Sequence, residues 1–70
     1  MKQIKKVEVG SLSHKKFSKW VDVDGIRYFY LIRETPAGNY CVKFLNDVLP
    51  ELLNKIVRVV AKKEGIADGR

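Results

Sequence analysis

The chain has one cysteine, one histidine and two prolines among its 70 residues. One cysteine excludes an intrachain disulfide, and one cysteine with one histidine cannot complete a closed four-ligand zinc site. The sequence also lacks a secretory signal pattern and a run of about 20 apolar residues that would span a bilayer. It therefore predicts an intracellular protein with no metal, no cofactor and no membrane segment.

Acidic residues are also few, eight against 14 lysines and arginines, so the formal net charge is +6. This excess favours a polyanionic partner such as nucleic acid. Paired carboxylates, a Ser/His/Asp or Cys/His arrangement and a phosphate-binding glycine loop are missing, so we do not predict an enzyme. The length predicts one domain over residues 1–70, near the lower size limit for a single core, and a homodimer would stabilise it.

The densest run of aromatic and β-branched side chains covers residues 26–33 and predicts a central strand. Asp24-Gly25 stands directly before it and predicts a two-residue hairpin turn, because both residue types tolerate positive φ. The upstream partner is then residues 17–23, with Val23 opposite Ile26, Val21 opposite Tyr28 and so on along the hairpin.

Two further strands and a helix are predicted around this hairpin. Residues 1–10 alternate as a first strand, residues 39–45 form a fourth strand after a Pro36–Gly38 turn, and an amphipathic helix runs from an Asn46-Asp47 cap to Gly65. Residues 66–70 are predicted to be a frayed tail. The expected fold is α+β, a four-stranded antiparallel sheet with one C-terminal helix packed on one face. The apolar stripe of the helix is broader than one sheet face requires, which favours a homodimer.

The sheet then has two different faces, if Glu34 pairs with Asn39. The face predicted to be core under the helix gathers five apolar side chains, Trp20, Phe29, Leu31, Val42 and Phe44. The face predicted to be exposed shows Tyr28 and Tyr30 between Lys19 and Lys43.

Ile26-Arg27-Tyr28-Phe29-Tyr30, the Pro36 and Gly38 turn, Val42-Lys43-Phe44 and the helix leucines resemble the single-stranded-DNA-binding domain of the positive-cofactor-four transcriptional coactivators. The same element order is similar to the Whirly and Pur-repeat proteins. The resemblance covers residues 21–60 and implies a dimeric single-strand binder in transcription, replication or repair. The turn here lacks the family's basic pair and second glycine, and Leu49 replaces an aromatic residue.

Tyrosines as stacking platforms and lysines as phosphate contacts are typical of single-strand binders. The candidate nucleic-acid-binding residues are Lys15, Lys16, Lys19, Tyr28, Tyr30, Lys43, Arg27 and Arg33. The two arginines could instead form ion pairs, for example with Asp22. The tyrosine face could instead be a dimer or protein-partner interface, as in a small accessory subunit. Duplex DNA is an alternative, because the chain is similar in size and charge, in its strand-borne Trp20 and in the helix of residues 47–56 to the archaeal chromatin proteins with an SH3-like barrel, which would imply minor-groove binding. RNA is a further alternative, because these residues do not distinguish the types of nucleic acid.

Overall fold

Five strands and one helix make up the computed structural model, which describes residues 2–10 and 19–69. The strands are β1 (Gln3–Val9), β2 (Lys19–Val23), β3 (Ile26–Glu34), β4 (Tyr40–Phe44) and β5 (Ala67–Asp68), and helix α1 spans Pro50–Glu64. They form one curled mixed sheet in the order β2-β3-β4-β1-β5 with the helix after β4. The predicted α+β class is confirmed.

The β2–β3 hairpin has the predicted register, with Val23 opposite Ile26 and Val21 opposite Tyr28. Its turn residues both have positive φ, 52° for Asp24 and 78° for Gly25. Two consecutive positive φ angles define the tight turn whose twist matches that of the flanking strands. The turn chemistry of two residues therefore sets the pairing of the whole hairpin.

The first strand does not run as predicted. β1 pairs with β4 in parallel, and the two-residue β5 pairs with β1, also in parallel. The prediction of four antiparallel strands is therefore wrong for β1, whereas β2, β3 and β4 do run antiparallel. The prediction missed this because alternating apolar residues indicate a strand but not its direction. The predicted frayed tail over residues 66–70 likewise did not anticipate β5.

The β3–β4 register differs from the prediction by one residue. Glu34 pairs with Tyr40 and Ile32 with Val42, whereas the sequence predicted Glu34 opposite Asn39. The turn explains the difference: Thr35 N–H donates to the Asn39 carbonyl at 2.7 Å, so Asn39 closes the turn and strand pairing starts one residue later. A slip of one residue moves every side chain of a strand to the opposite face.

The slip also decides which face of the sheet the helix covers. Val42 and Phe44 now lie on the same face as Tyr28 and Tyr30, and α1 packs on that face. The buried residues of this core are Ile4, Val21, Val23, Tyr28, Tyr30, Val42 and Phe44 from the sheet with Ile56, Val57, Val60 and Ala61 from the helix. The predicted faces are therefore wrong: Tyr28 and Tyr30 are 4% and 0% exposed, whereas Trp20 is 45% exposed.

Both ends of α1 follow local rules, although the predicted cap is not used. Leu49 is the N-cap, without a side-chain hydrogen bond, and Pro50 starts the helix. Asn46 instead binds β3, accepting from the Phe29 N–H at 2.8 Å and donating to the Arg27 carbonyl. The helix ends at Gly65 as predicted, where φ is 70° and the Ile66 N–H donates to the Ala61 carbonyl.

Candidate nucleic-acid interface

The two tyrosines predicted to stack on bases belong to the core. The Tyr30 ring is fully buried beneath α1, and its hydroxyl donates to Glu64 Oε2 at 2.7 Å. Lys19 Nζ lies 2.9 Å from Glu64 Oε1 and forms an ion pair with it. Tyr28 is buried as well. In this arrangement neither ring can meet a base, and the charge of Lys19 is compensated by the helix.

The Tyr30–Glu64 contact changes the acidity of both groups. Burial raises the pKa of the Tyr30 phenol, and its hydrogen bond to Glu64 acts in the same direction. Burial alone would raise the pKa of Glu64, but the hydrogen bonds from Lys19 and Tyr30 together hold that pKa below its ordinary value of 4.5. Glu64 is thus an ionised carboxylate that binds the C-terminal end of α1 to the sheet.

The remaining predicted residues fall into two groups. Lys15 and Lys16 lie outside the described residues. Arg27, Arg33 and Lys43 alternate with the buried positions of β3 and β4, so they lie on the opposite face of the sheet. We call this face, away from α1, the outer face; it comprises Lys6, Glu8, Trp20, Asp22, Arg27, Phe29, Leu31, Arg33, Cys41 and Lys43. The structure thus brings three predicted basic residues together and separates them from the tyrosines.

An aromatic pair that the sequence assigned to the core lies on the outer face. The ring centroids of Trp20 and Phe29, cross-strand partners, are 6.3 Å apart with an interplanar angle of 59°. The Arg27 guanidinium lies 5.1 Å from the Trp20 ring centroid, and Lys63 from α1 lies 5.7 Å from it. Trp20 is therefore an exposed ring with cations close to its π face. Only the correct β3–β4 register would have identified it from the sequence.

Arg27 also forms the ion pair that the sequence offered as its alternative role. Its Nε lies 3.1 Å from Asp22 Oδ1, and both side chains are more than half exposed. An exposed pair of this kind contributes about 0–1 kcal/mol. Asp22 therefore orients the guanidinium beside Trp20 more than it stabilises the fold.

Beside the aromatic pair, the outer face contains a depression of about 330 Å³. Its lining residues are Glu8, Leu31, Ile32, Arg33, Cys41 and Lys43. The Cys41 thiol donates to Glu8 Oε1 at 3.5 Å. This hydrogen bond, then the nearby charges of Lys6, Lys43 and Arg33, lower the pKa of Glu8. The depression therefore has an apolar floor and a rim with charges of both signs.

Charge on the outer face is positive, with four basic and two acidic side chains. Within residues 2–10 and 19–69, neither Arg33 nor Lys43 has an ion pair, whereas Arg27 has one. In the same ranges no group of three His, Cys, Asp or Glu side chains could hold a metal ion. A search of those residues for a helix long and apolar enough to cross a bilayer finds none.

Comparison of the chain with protein-family models, with curated proteins and with solved structures finds no match.

Proposed function

We propose that the protein is a non-catalytic single-stranded nucleic-acid-binding protein, with single-stranded DNA favoured, that binds through the outer face of its sheet. One observation carries this proposal: a half-exposed tryptophan, packed against Phe29, lies within 5.1 Å of an arginine on the sheet face away from α1. Single-strand binders combine such aromatic rings with a basic surface that follows the phosphates.

In this proposal Trp20 supplies the stacking surface. A base stacked on an aromatic side chain contributes about 1–3 kcal/mol and does so for any sequence. The Phe29 ring beside it fixes the orientation of the indole, so little side-chain entropy is lost when a base arrives. Arg27 lies close enough to the ring for its guanidinium to turn to the phosphate next to the stacked base and to leave the ring face to that base.

Arg33 and Lys43 supply the phosphate contacts further along the face. Neither has to leave an acidic partner among the described residues, whereas Lys19 and Lys55 are paired with Glu64 and Asp24. A free cation contributes its whole charge to a polyanion, because no existing ion pair has to be broken first. The helix surface offers a competing pair, Arg58 and Lys62, one turn apart and exposed.

The resemblance to the positive-cofactor-four domains supports the same class of function, although the parallel β1 departs from the sheet that the resemblance implies. A role in transcription, replication or repair and a homodimeric state remain part of this proposal. Duplex DNA, RNA and a protein partner are alternatives that the binding experiment separates.

The test is fluorescence anisotropy of labelled oligo-dT and of a matched duplex, titrated with the protein at low and moderate salt. Two double variants decide which surface binds: Arg33→Ala/Lys43→Ala on the outer face and Arg58→Ala/Lys62→Ala on the helix. Each removes one arginine and one lysine from the formal +6, so the global charge effect is equal. Trp20→Ala tests stacking, and circular dichroism verifies that each variant is folded.

We expect salt-sensitive binding to oligo-dT that Trp20→Ala weakens by about 1–3 kcal/mol. The outer-face double variant should also reduce the salt slope by about 1.4, since each phosphate contact on a single strand contributes about 0.7. The helix double variant should keep the slope of the unmodified protein. Loss of the slope in the helix variant would move the site to α1, and tighter duplex binding would favour the chromatin-protein alternative. Absence of binding to either probe at low salt would refute the proposal.

A further inference from the structure

Glu8 is an acidic side chain in the middle of the basic part of the outer face. On β4, Lys43 pairs with Leu31 of β3 on one side and with Glu8 of β1 on the other. These three side chains thus form a row across the sheet, and with strands about 4.8 Å apart, Leu31 and Glu8 lie about 10 Å from each other. Both line the depression of about 330 Å³.

Only one carboxylate oxygen of Glu8, Oε1, contacts other side chains among the described residues. Cys41 Sγ lies 3.5 Å and Lys6 Nζ 3.8 Å from Oε1. Within the described ranges no hydrogen bond reaches Oε2, and the side chain is 37% exposed. An ionised carboxylate only accepts hydrogen bonds, so Oε2 can be satisfied by water or by a donor on a ligand.

The size and chemistry of the depression fit one unstacked nucleobase. Its volume is at the lower end of the range of small-molecule sites, about 300–1,000 Å³. Leu31 and Cys41 supply apolar surface for the flat faces of a base. Arg33 and Lys43 on the rim can bind the phosphate attached to that base, and Glu8 can accept from the edge of the base.

The depression lies next to Trp20 and Phe29 along β3, at about the spacing of neighbouring bases in a single strand. Phe29 and Leu31 are two residues apart on β3, which is about 7 Å along a strand. A single strand lying along β3 would therefore place one base on the Trp20 ring and a neighbouring base over Leu31. The two positions differ in chemistry, because only the second has a carboxylate.

We infer that this depression is a base-selective subsite for an unpaired nucleobase with an exocyclic amino group, such as cytosine, whose amino group donates to Glu8. This inference rests on the proposed function. Thymine and uracil carry a carbonyl oxygen where cytosine carries its amino group, and their one donor on this edge, N3–H, lies between two carbonyl oxygens. A carboxylate that accepts from N3–H therefore also faces two other acceptors. The subsite therefore discriminates against thymine by repulsion as well as in favour of cytosine by a hydrogen bond.

The experiment compares the affinities for oligo-dC and oligo-dT of equal length at neutral pH, in the unmodified protein and in Glu8→Gln. A glutamine at position 8 keeps the size of the side chain but can both donate and accept, so it can bind either pyrimidine. Glu51→Gln is the matched control, since it removes one negative charge from the exposed first turn of α1, away from the outer face. Thermal unfolding of each variant checks that the fold is retained.

We expect the unmodified protein and Glu51→Gln to bind oligo-dC about fivefold more tightly than oligo-dT, and Glu8→Gln to bind both about equally. The two affinities of Glu8→Gln should become equal mainly because this variant binds oligo-dT more tightly than the unmodified protein does. If Glu8→Gln strengthens both affinities by the same factor, Glu8 only balances charge, and the subsite is refuted while single-strand binding stands. If neither oligomer binds any of the proteins, the proposed function and the subsite are refuted together.

Discussion

Replacing Tyr30 by phenylalanine tests the new assignment of the sheet faces most directly. The substitution Tyr30→Phe removes one atom, the hydroxyl oxygen that donates to Glu64 Oε2 at 2.7 Å. The ring is fully buried under α1, so its packing is unchanged. If Tyr30 were instead an exposed stacking residue, loss of this hydroxyl would leave the stability of the protein as it was.

The expected loss follows from the partners that Glu64 retains. A hydrogen bond to a charged group contributes about 1.5–3 kcal/mol to stability. Glu64 keeps Lys19 at 2.9 Å, and 15% of its side chain reaches solvent, so some of that loss is recovered. We expect Tyr30→Phe to lower the free energy of unfolding by about 1–2 kcal/mol. For a domain of this size each kcal/mol lowers the thermal midpoint by about 4–8 °C.

The measurement is urea unfolding followed by circular dichroism, with Tyr40→Phe as the matched control. Tyr40 is half-buried on β4, and within the described residues its hydroxyl makes no hydrogen bond, so we expect a change of less than about 0.5 kcal/mol. Oligo-dT affinity should be the same in both variants. Equal stability of the two variants, together with weaker binding by Tyr30→Phe alone, would refute the buried position of Tyr30.

Two further predictions concern the end of α1. Because the folded-state pKa of Glu64 lies below 4.5, its contribution to stability is complete above that pH and is lost as the pH falls through the lower folded value. In urea unfolding over an acid pH series, the free energy of unfolding should therefore fall less steeply with decreasing pH for Glu64→Gln than for the unmodified protein. Equal slopes would contradict the ion pair. Gly65 has a φ of 70° with open space around it, so Gly65→Ala should cost about 1 kcal/mol through backbone strain alone. Gly65→Asn should cost less, since asparagine tolerates this conformation, and thermal unfolding that ranks the two variants the other way would show that the cap does not depend on φ.

The hairpin and the helix were predictable because short-range chemistry specifies them. Asp24-Gly25 adopts the two positive φ angles that a two-residue turn needs, and the whole β2–β3 register follows from it. Gly65 ends α1 in the same way, through a conformation that few other residues adopt. In each case the φ preference of one or two residues determines the local backbone.

The direction of β1 was not predictable because it depends on long-range pairing. Ile4 is fully buried and Val7 packs against the core, so the strand itself is evident from its apolar positions. Those positions fit equally well beside β4 in either direction. The parallel direction becomes evident only from the structure, in which Val7 lies opposite Val42. The other edge of β1 is then available to β5, where Ala67 pairs with Gln3.

The error in the candidate site came from a single residue in the turn after β3. The predicted hairpin correctly placed Tyr28 and Tyr30 on one face and Trp20 and Phe29 on the other, but the predicted β4 register wrongly placed Val42 and Phe44 with Trp20. The helix covers the face with more apolar surface, and Val42 and Phe44 of β4 decide which face that is. With Asn39 in the turn these two side chains join the tyrosines, and the tryptophan is left in solvent beside the arginines. The aromatic and basic residues of the proposed binding surface were therefore present in the sequence throughout, and the length of one turn determines which aromatic residues are exposed beside the arginines.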